Sequence, residues 1–497
     1  MFTIRKAQLA DVGGIADVFK TEYGEHYAYP QYYDTEALSR LVYASGSLLL
    51  AAIDDESGRV AGTASVVFSV AAQNDLVGEF GRLVVHPDFR SRGLGNKLMQ
   101  ARIELVKPRL HVGIVDNRTS HTFSQRVSAR HGFVPVGVIP GKLLVERRET
   151  IAQYVQHFGD ALSLRRNNPR VIPEASQLAC IALERCGLPQ DAIIDDASAP
   201  FPHDDRFELD ELETEGYSSL LRIERGRIRS RDVFGPIRLH YGLFQLQSQH
   251  SNYLIARQQN RVAGGIGYIV DEVEKAVKIF ELISVNDGPI RILLDSLLKK
   301  CRDELDVEYL EVDVSAYAPR MQRTLLELGF LPVSYIPANV FHEVERLDAI
   351  KMSRLLVPAD FTGLQFLDVV QPIADIVVPS FVSKDVQPKI AAVLRSTSLF
   401  DGLGQEQREQ LMSICTTKDF AAGTLIHNSG DSDGTMHLIL CGEVDLLTPS
   451  GKTVARIGQG QCVGETVLLA ASTEAVAHSL SAIASSAVET AAFSFTD

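Results

Sequence analysis

Apolar and polar positions along the first hundred residues change period several times. Apolar residues recur at helical spacing after a short initial strand, and later apolar runs are short, continuous and divided by turn residues such as Asp-Asp-Glu-Ser-Gly. The pattern predicts a helix, three strands and a second helix at residues 4–23, 47–53, 60–70, 80–85 and 96–106. A strand that ends at His86-Pro87 is thus followed by a glycine-bearing turn and then directly by a helix.

A second block of sequence repeats part of the first at an offset of 197 residues. Gly-Phe-Val-Pro-Val-Gly-Val-Ile-Pro at 132–140 matches Gly-Phe-Leu-Pro-Val-Ser-Tyr-Ile-Pro at 329–337. The same offset, without gaps, aligns two further sites, Asp116 with Asp313 and Gln125-Arg126 with Gln322-Arg323. The sequence therefore predicts two copies of one fold, at about 1–145 and 205–345.

The remaining segments predict two connecting pieces and a third domain. Residues 146–204 are expected to form a helical connector, because they begin with helical spacing and later give an amphipathic helix at 181–188. Residues 346–392 contain several prolines, which is typical of a linker. From 393 to 497, closely spaced glycines divide short apolar runs, and this predicts a mostly-β roll or small barrel.

Composition and charge limit the classes of partner. The formal net charge of -14 opposes nucleic acid or an anionic membrane as the main partner and favours basic substrates. No apolar run is long enough to span a bilayer, and the first eleven residues carry charges where a signal peptide needs an apolar stretch. The six cysteines are scattered without metal-ligand spacing, so we expect reduced thiols and no metal site. We expect a cytoplasmic protein.

The turn Arg-Ser-Arg-Gly-Leu-Gly at 90–95 has the chemistry of a phosphate site. A glycine-bearing turn at a helix N-terminus presents unpaired N–H groups and the positive end of the helix dipole, and its arginines add charge. The preceding strand could hydrogen-bond an extended amide-containing arm. The ligand with both parts is coenzyme A, and its candidate binding residues are Leu83, Val84, Val85, Arg90, Ser91, Arg92, Gly93, Leu94, Gly95 and Asn96.

This turn resembles the acyl-CoA motif R/Q-x-x-G-x-G/A of the GCN5-related N-acetyltransferase (GNAT) family, with Arg90, Gly93 and Gly95 at the key positions. Gly132-Phe133 is similar to the Gly-Phe pair that closes the last conserved helix of that family. The resemblance implies an α/β (α+β) GNAT fold in two tandem copies. It also implies an N-acyltransferase that uses acetyl-CoA or another acyl-CoA and an amine acceptor in a small molecule, peptide or protein lysine.

The resemblance also suggests catalytic residues. A glutamate on the fourth strand often serves as general base in the family, and Glu79 is the candidate, although an exposed strand-end carboxylate would look the same. A tyrosine often protonates the departing thiolate, but Ser128 stands at its position, so the general acid is open. His121 and Ser124 lie three residues apart and are further candidates for contact with substrate or coenzyme. His121 could equally be a helix-start histidine.

Five of the 14 tyrosines lie within residues 23–33, where the family commonly covers its acceptor site. This segment is interpreted either as a substrate lid, with Glu25 attracting an amine, or as a packing loop. In the second copy, the segment 284–292 lacks R-x-x-G-x-G, Pro289 removes a backbone donor, and Leu325 stands at the tyrosine position. We therefore expect a degenerate copy that shapes the substrate cleft or supports the first.

The last segment resembles the cyclic-nucleotide-binding domain, through Gly442-Glu443-Val444 and residues 463–469. The arginine that pairs with the cyclic phosphate in that family is replaced by Glu474 or Ala475, and no Lys or Arg follows Arg456. Residues 393–497 carry 12 acidic against 5 basic side chains and leave no segment for the family's C-terminal lid helix. We expect no cyclic-nucleotide binding and consider protein docking instead.

Three functions remain in view. The leading hypothesis is an N-acyltransferase that acts through the first copy. The second is a protein lysine acetyltransferase gated by a cyclic nucleotide, and the lost arginine weighs against it. The third is a non-catalytic sensor or scaffold that binds acyl-CoA.

Overall fold

A computed structural model describes most of the chain and divides it into two compact units, Met1–Ser380 and Phe381–Asp497. The three expected domains thus become two units, because the two predicted copies share one continuous sheet. The described residues are 1–24, 27, 29–68, 75–212, 218–223, 231–235, 251–400, 402–404, 407, 411, 415–432, 434–465 and 477–494.

The first part of the larger unit alternates strands and helices. Its strands are β1 (Phe2–Lys6), β2 (Ser47–Asp54), β3 (Val60–Val67), β4 (Val77–Val85), β5 (Val112–Arg118), β6 (Val134–Leu144) and β7 (Arg148–His157). Its helices are α1 (Val12–Tyr23), α2 (Thr35–Tyr43), α3 (Leu94–Val106) and α4 (Phe123–Arg130). The predicted strands and the second predicted helix are confirmed to within three residues at most boundaries, whereas the first helix begins only at Val12.

The chain then continues through a short connector into the second part of the sheet. In the connector, β8 (Arg170–Val171) and β9 (Ile193–Ile194) form a separate two-stranded sheet. The strands of the second part are β10 (Glu208–Glu211), β11 (Val233–Phe234), β12 (Ser251–Gln258), β13 (Arg261–Asp271), β14 (Ala276–Ser284), β15 (Tyr309–Ser315), β16 (Leu331–His342) and β17 (Glu345–Leu355). The helices are α5 (Pro173–Arg185), α6 (Gly288–Asp303), α7 (Pro319–Glu327) and α8 (Gln371–Ser396).

The prediction that the connector begins as a helix at Glu146 is wrong. Residues 148–157 form β7, which lies between β5 and β6 in the sheet. Likewise β17 occupies part of the expected linker at 346–392. Both strands are buried on both faces along most of their length, and such strands lack the alternation that identifies a strand in the sequence. The domain boundaries predicted at 145 and 345 would therefore separate β7 and β17 from the half-sheets to which they belong.

The large sheet has the strand order β1-β2-β3-β4-β5-β7-β6-β16-β17-β15-β14-β13-β12-β10. Read inward from its own edge, each half of the sheet has the same strand order: β1-β2-β3-β4-β5-β7-β6 in the first half and β10-β12-β13-β14-β15-β17-β16 in the second. In both halves the last strand in sequence therefore lies one position in from the junction, and the strand before it lies at the junction. Among the described strands of this sheet only β4–β5 and β14–β15 are parallel pairs. The halves meet where Ser334 of β16 pairs with Gly137 of β6. A Cβ on Gly137 would lie 2.3 Å from that of Ser334, so the junction requires glycine.

Two buried glutamines hold crossing segments of chain in the same way. Gln322 of α7, which is 0% exposed, accepts a hydrogen bond from the last N–H of segment 170–172 at 3.0 Å and donates to its first carbonyl at 3.1 Å. Gln125 of α4 accepts one from the last N–H of segment 365–367 at 3.1 Å and donates to its first carbonyl at 2.9 Å. Each half of the sheet is thus hydrogen-bonded, through its buried glutamine, to the chain segment that follows the other half.

The smaller unit contains two four-stranded sheets, which confirms the predicted β-rich fold. Their orders are β18-β25-β20-β23 and β19-β24-β21-β22. The strands are β18 (Thr416–Phe420), β19 (Leu425–His427), β20 (Thr435–Cys441), β21 (Val444–Leu447), β22 (Thr453–Ile457), β23 (Cys462–Val463), β24 (Ser481–Ala484) and β25 (Val488–Ser494). Glu474 and Ala475, on which the cyclic-nucleotide prediction rests, lie outside the described residues.

Two further features concern the described residues alone. No helix there is long and apolar enough to cross a membrane. No group of three or more His, Cys, Asp or Glu side chains in this part of the chain is arranged to hold a metal ion. None of the six cysteines forms a disulfide in this part of the chain.

Candidate functional site

The two parallel strands β4 and β5 separate halfway along their length. They pair from Val77 with Val112 to Glu79 with Ile114, and no pair follows, although β4 continues to Val85. The ends of the two strands therefore lie apart and leave a gap in the middle of the first half-sheet. The edge of β4 is accessible there to an extended ligand, as the sequence predicted for Leu83-Val84-Val85.

A β-bulge in β4 lies beside this gap. The register between β3 and β4 shifts by one residue, and Arg82 adopts a φ of 52°, a region that non-glycine residues rarely occupy. The buried guanidinium of Arg102 donates hydrogen bonds to the carbonyls of Ser65 at 3.0 Å and Gly81 at 2.9 Å. Burial lowers the pKa of Arg102 to about 9. These two hydrogen bonds hold the backbone of the bulge in place and offset the strain of the positive φ at Arg82.

The turn at 90–95 has the geometry predicted for an anion site. Gly93 caps α3 with a φ of 72°, and a Cβ placed on it would meet no atom within 4 Å. The backbone N–H groups of residues 91–96 have no acceptor within the described part of the chain. They lie at the positive end of a 13-residue helix and are available to a phosphate.

The side chains around the turn are partly committed to protein contacts. The guanidinium of Arg90 pairs with the Glu22 carboxylate at the end of α1. That of Arg92 lies 5.5 Å from the centre of the Phe89 ring. The Asn96 amide oxygen is 3.3 Å from a ring nitrogen of His131. Both arginines stay exposed enough to reach a ligand, so the backbone donors and two cations remain together at the turn.

Glu79 is the last residue of β4 that pairs with β5, so its place is at the opening of the gap. Its carboxylate accepts a hydrogen bond from Arg82 at 2.9 Å. Burial is the largest single effect and disfavours the charged guanidinium, but Glu79 and the nearby tyrosines together outweigh it and keep the pKa of Arg82 above its usual value. The candidate base is therefore held in a fixed ion pair rather than lying as an isolated strand-end carboxylate.

The tyrosines of segment 23–33 pack against this ion pair. Tyr27 and Tyr32 lie 4.8 and 4.6 Å from the ring centre of Phe19 on α1, and Tyr29 lies 5.6 Å from the Arg82 guanidinium. Burial raises the pKa of Tyr27 and Tyr29. The described tyrosines thus form a packed aromatic cluster beside the Arg82–Glu79 ion pair. Glu25 lies outside the described residues.

In the described part of the chain, no contact joins the other two predicted residues, His121 and Ser124, to Glu79, and Ser128 stands where the family has its tyrosine. His121 is exposed in the β5–α4 loop, and no polar contact is recorded for it in the described ranges. Ser124, on α4, has a buried hydroxyl without a hydrogen-bond partner. Ser128 is 0% exposed and donates to the Asn117 amide oxygen at 3.1 Å, so its hydroxyl is directed into the core. Ser128 is therefore excluded as the general acid.

Sequence reasoning missed Arg82 and Arg102, which define the shape of the site. Two glycines in β4, Gly78 and Gly81, were the available signal, because glycine inside a strand pattern often marks a bulge. The side chains that the bulge brings together could not be inferred from it, since they come from separate elements.

The corresponding turn of the second half is closed. The N–H of Gly288 at the start of α6 donates to the Asn286 side chain at 3.0 Å. Asp287 pairs with Arg320 at 2.6 Å. The Phe207 ring would lie 3.1 Å from a Cβ on Gly288, so it occupies the space above the helix end. A pyrophosphate at this turn would find the Gly288 N–H already hydrogen-bonded, the Phe207 ring in its way and the negatively charged Asp287 nearby.

Comparison with known families agrees with two of the domains. Residues 14–133 match the model of the acetyltransferase (GNAT) family, and residues 417–496 match that of the cyclic nucleotide-binding domain. The chain therefore contains a GNAT acetyltransferase domain that includes the gap, Glu79 and the turn, and it contains a cyclic nucleotide-binding domain. At this general level the match supports an acetyltransferase domain at residues 14–133. Neither match includes the second half of the large sheet.

Several solved structures are similar to parts of the chain. The structure of yncA from Salmonella typhimurium with its cofactor acetyl-CoA is 22% identical over 32% of this chain and 95% of its own, with a TM-score of 0.29. A GNAT-family acetyltransferase from Streptococcus pneumoniae is 17% identical over 32% of this chain and 100% of its own (TM-score 0.28). The cAMP-bound PfPKA-R structure is 22% identical over 22% of this chain and only 39% of its own (TM-score 0.20). No curated protein matches the chain.

Proposed function

We propose that the chain transfers an acetyl or longer acyl group from acyl-CoA to an amine, and that the first half of the large sheet carries out the reaction. The observation that carries this proposal is the gap between β4 and β5, with the free N–H groups of residues 91–96 beside it. These donors would hold the pyrophosphate, and the edge of β4 at 83–85 would bind the amide-containing arm. The thioester would then lie in the gap next to Glu79.

In this reaction the amine nitrogen attacks the thioester carbonyl, a C–N bond forms and the C–S bond breaks. Glu79 accepts the proton that the amine loses, directly or through one water, and the sulfur leaves as a thiolate that takes a proton from solvent or from a group not yet assigned. Arg82 holds the Glu79 carboxylate in place at 2.9 Å. Much of the rate would come from holding amine and thioester in line.

Glu79→Gln tests the assignment of the base. We expect kcat to fall about 10²- to 10³-fold, because the amide cannot accept the amine proton, with the KM for acetyl-CoA little changed. Release of thiol from acetyl-CoA with a mixed amine pool measures the rate, and mass spectrometry identifies the product. Glu56→Gln, in the exposed β2–β3 turn, is the matched control. Equal activity of the two variants would contradict the role of Glu79, and coenzyme binding without turnover on any amine would favour the sensor hypothesis.

The second half of the sheet, residues 205–355, is proposed to be a degenerate copy of the first. Its strand order, and the clasping of a crossing segment by Gln322 as by Gln125, both support an origin from one fold. The closed turn at Gly288 argues against a second coenzyme site. In this proposal the copies extend to the ends of β7 and β17, about twelve residues beyond the boundaries expected from the sequence.

The domain at 393–497 is proposed to be a docking module. In its described part, Arg456 is bound by Asp445 at 2.7 and 2.9 Å, and the segment carries 12 acidic against 5 basic residues. A cyclic phosphate would thus enter an acidic surface. In a thermal-shift titration with cAMP and cGMP we expect no increase in Tm. A rise of several degrees at micromolar nucleotide would instead support the gated lysine acetyltransferase.

A further inference from the structure

A buried carboxylate of the second half-sheet lies against the β6–β7 hairpin of the first half. Glu274 belongs to the turn between β13 and β14 and is only 6% exposed. One of its carboxylate oxygens accepts a hydrogen bond from the N–H of Leu144 at 2.7 Å, and the other is buried without a hydrogen-bond partner. The turn itself is rigid, because Asp271 accepts the N–H groups of Val273 and Glu274 at 3.1 and 3.0 Å.

Glu274 differs from the other acidic groups of this region in having no cationic partner. Glu79, Glu149 and Asp116 each pair with an arginine or lysine, at 2.9, 2.6 and 2.6 Å respectively. Within the described part of the chain, no Lys or Arg side chain lies within 4.0 Å of the Glu274 carboxylate. Arg148 contacts only its backbone carbonyl, at 2.6 Å. Burial raises the pKa of Glu274, and the more distant charge of Arg148 and the contacts with Leu144 and Tyr29 do not offset this effect.

The carboxylate is connected to the candidate base by a short series of contacts. Tyr29 lies close to Glu274: burial, together with the charge of Glu274, raises the pKa of Tyr29, and contact with the Tyr29 hydroxyl acts to lower the pKa of Glu274. The ring of Tyr29 lies 5.6 Å from the Arg82 guanidinium, which in turn binds Glu79. Glu274 therefore belongs to the same series of neighbouring side chains as the proposed general base Glu79. It is the member of that series that comes from the second half of the sheet.

We propose that Glu274 determines acceptor specificity, and that the acceptor is an amine with a second positive charge whose remote cation pairs with Glu274. This inference rests on the proposed function, since Glu79 would act on the reacting amine while Glu274 holds the other end. A buried carboxylate without an ion-pair partner within 4.0 Å is costly, and an incoming ammonium supplies that partner. The face of Tyr29 adds an aromatic surface that favours a cation nearby. A monoamine lacks the group that makes this contact.

The proposal also gives the second half a role without coenzyme. Its β13–β14 turn supplies the outer wall of the acceptor site, and the Leu144 and Arg148 contacts fix that turn to the β6–β7 hairpin of the first half. The first half alone would lack this carboxylate.

Glu274→Gln tests the proposal in the full chain, with 1,4-diaminobutane and butylamine as acceptors. The glutamine keeps the size of the side chain and an oxygen for the Leu144 N–H. We expect the KM for the diamine to rise about tenfold or more, while the KM for acetyl-CoA and the kinetics with butylamine stay unchanged. Glu272→Gln, exposed on the same turn, is the matched control and should behave as the unmodified chain.

Calorimetric titration of the diamine separates failure of this proposal from failure of the proposed function, because it needs no turnover. If no amine is acylated but Glu274→Gln alone loses diamine binding, the function is wrong and the site stands. If amines are acylated and Glu274→Gln affects both acceptors equally, or neither, the site is wrong. Equal losses in Glu272→Gln and Glu274→Gln would also overturn it.

Discussion

Gly93→Glu is expected to reduce the affinity for acetyl-CoA about 10²- to 10³-fold. The change places a carboxylate at the N–H groups of residues 91–96, and two like charges about 4 Å apart repel by about 4 kcal/mol at the effective dielectric of a protein surface. The residue also has a φ of 72°, where a side chain costs about 1 kcal/mol of stability. Isothermal titration with acetyl-CoA measures the affinity directly.

Gly58→Glu separates the two effects. Gly58 has a φ of 69°, and a Cβ there would meet no atom within 4 Å, but it lies in the β2–β3 turn and not at the N-terminus of α3. This control should show a similar loss of stability and an unchanged affinity for acetyl-CoA. If both variants bind the coenzyme as the unmodified chain does, the turn at 90–95 is not the pyrophosphate site.

Arg165→Met is expected to lower the free energy of unfolding by about 3–5 kcal/mol, the largest effect on stability that the described contacts suggest. The side chains of Arg165 and Asp348 are 1% and 0% exposed, and their closest atoms are 2.7 Å apart. Arg165 also binds Asp191 at 2.9 Å. Without the guanidinium, Asp348 would be a buried charge supported only by the Tyr335 hydroxyl and the Ala338 N–H. Urea unfolding measures the change.

The neighbouring Arg166→Met is the control, since Arg166 is half exposed and its closest carboxylate, on Glu345, is 3.9 Å away. A loss as large as that of Arg165→Met would contradict the account. Burial already raises the pKa of Asp348 above the usual value of an aspartate, and removing Arg165 should raise it further. A carboxyl with a raised folded pKa destabilises the fold as pH rises through that range. The deficit of Arg165→Met should therefore narrow as the pH is lowered toward 4.

Much of the fold near the turn could be predicted because local signals agreed there. The strand before Gly93 and the helix after it follow from apolar periodicity, and the β-rich C-terminal unit follows from its glycine spacing. β7 and β17 were missed because their residues are buried on both faces, so no alternation marks them. The joining of the two halves could not be predicted either, since the pairing of β6 with β16 depends on tertiary contact between Gly137 and Ser334.

The site was predictable only where one segment carries it. The turn at 90–95 and the place of Glu79 follow from a continuous stretch of sequence, since Glu79 lies in β4 and the turn follows that strand. Arg102 and Glu274 reach the site from α3 and from a turn some 180 residues away, so no local pattern connects them with Glu79. The tyrosine segment left a lid and a packing loop equally open, and in the structure its described tyrosines are packed.

The central claim is that one coenzyme site exists and lies in the first half of the sheet. Calorimetric titration of acetyl-CoA into the full chain measures the number of sites directly. The account predicts one bound coenzyme per chain, with binding lost in Gly93→Glu and retained in Gly58→Glu. Two sites per chain, or a single site that survives Gly93→Glu, would contradict it.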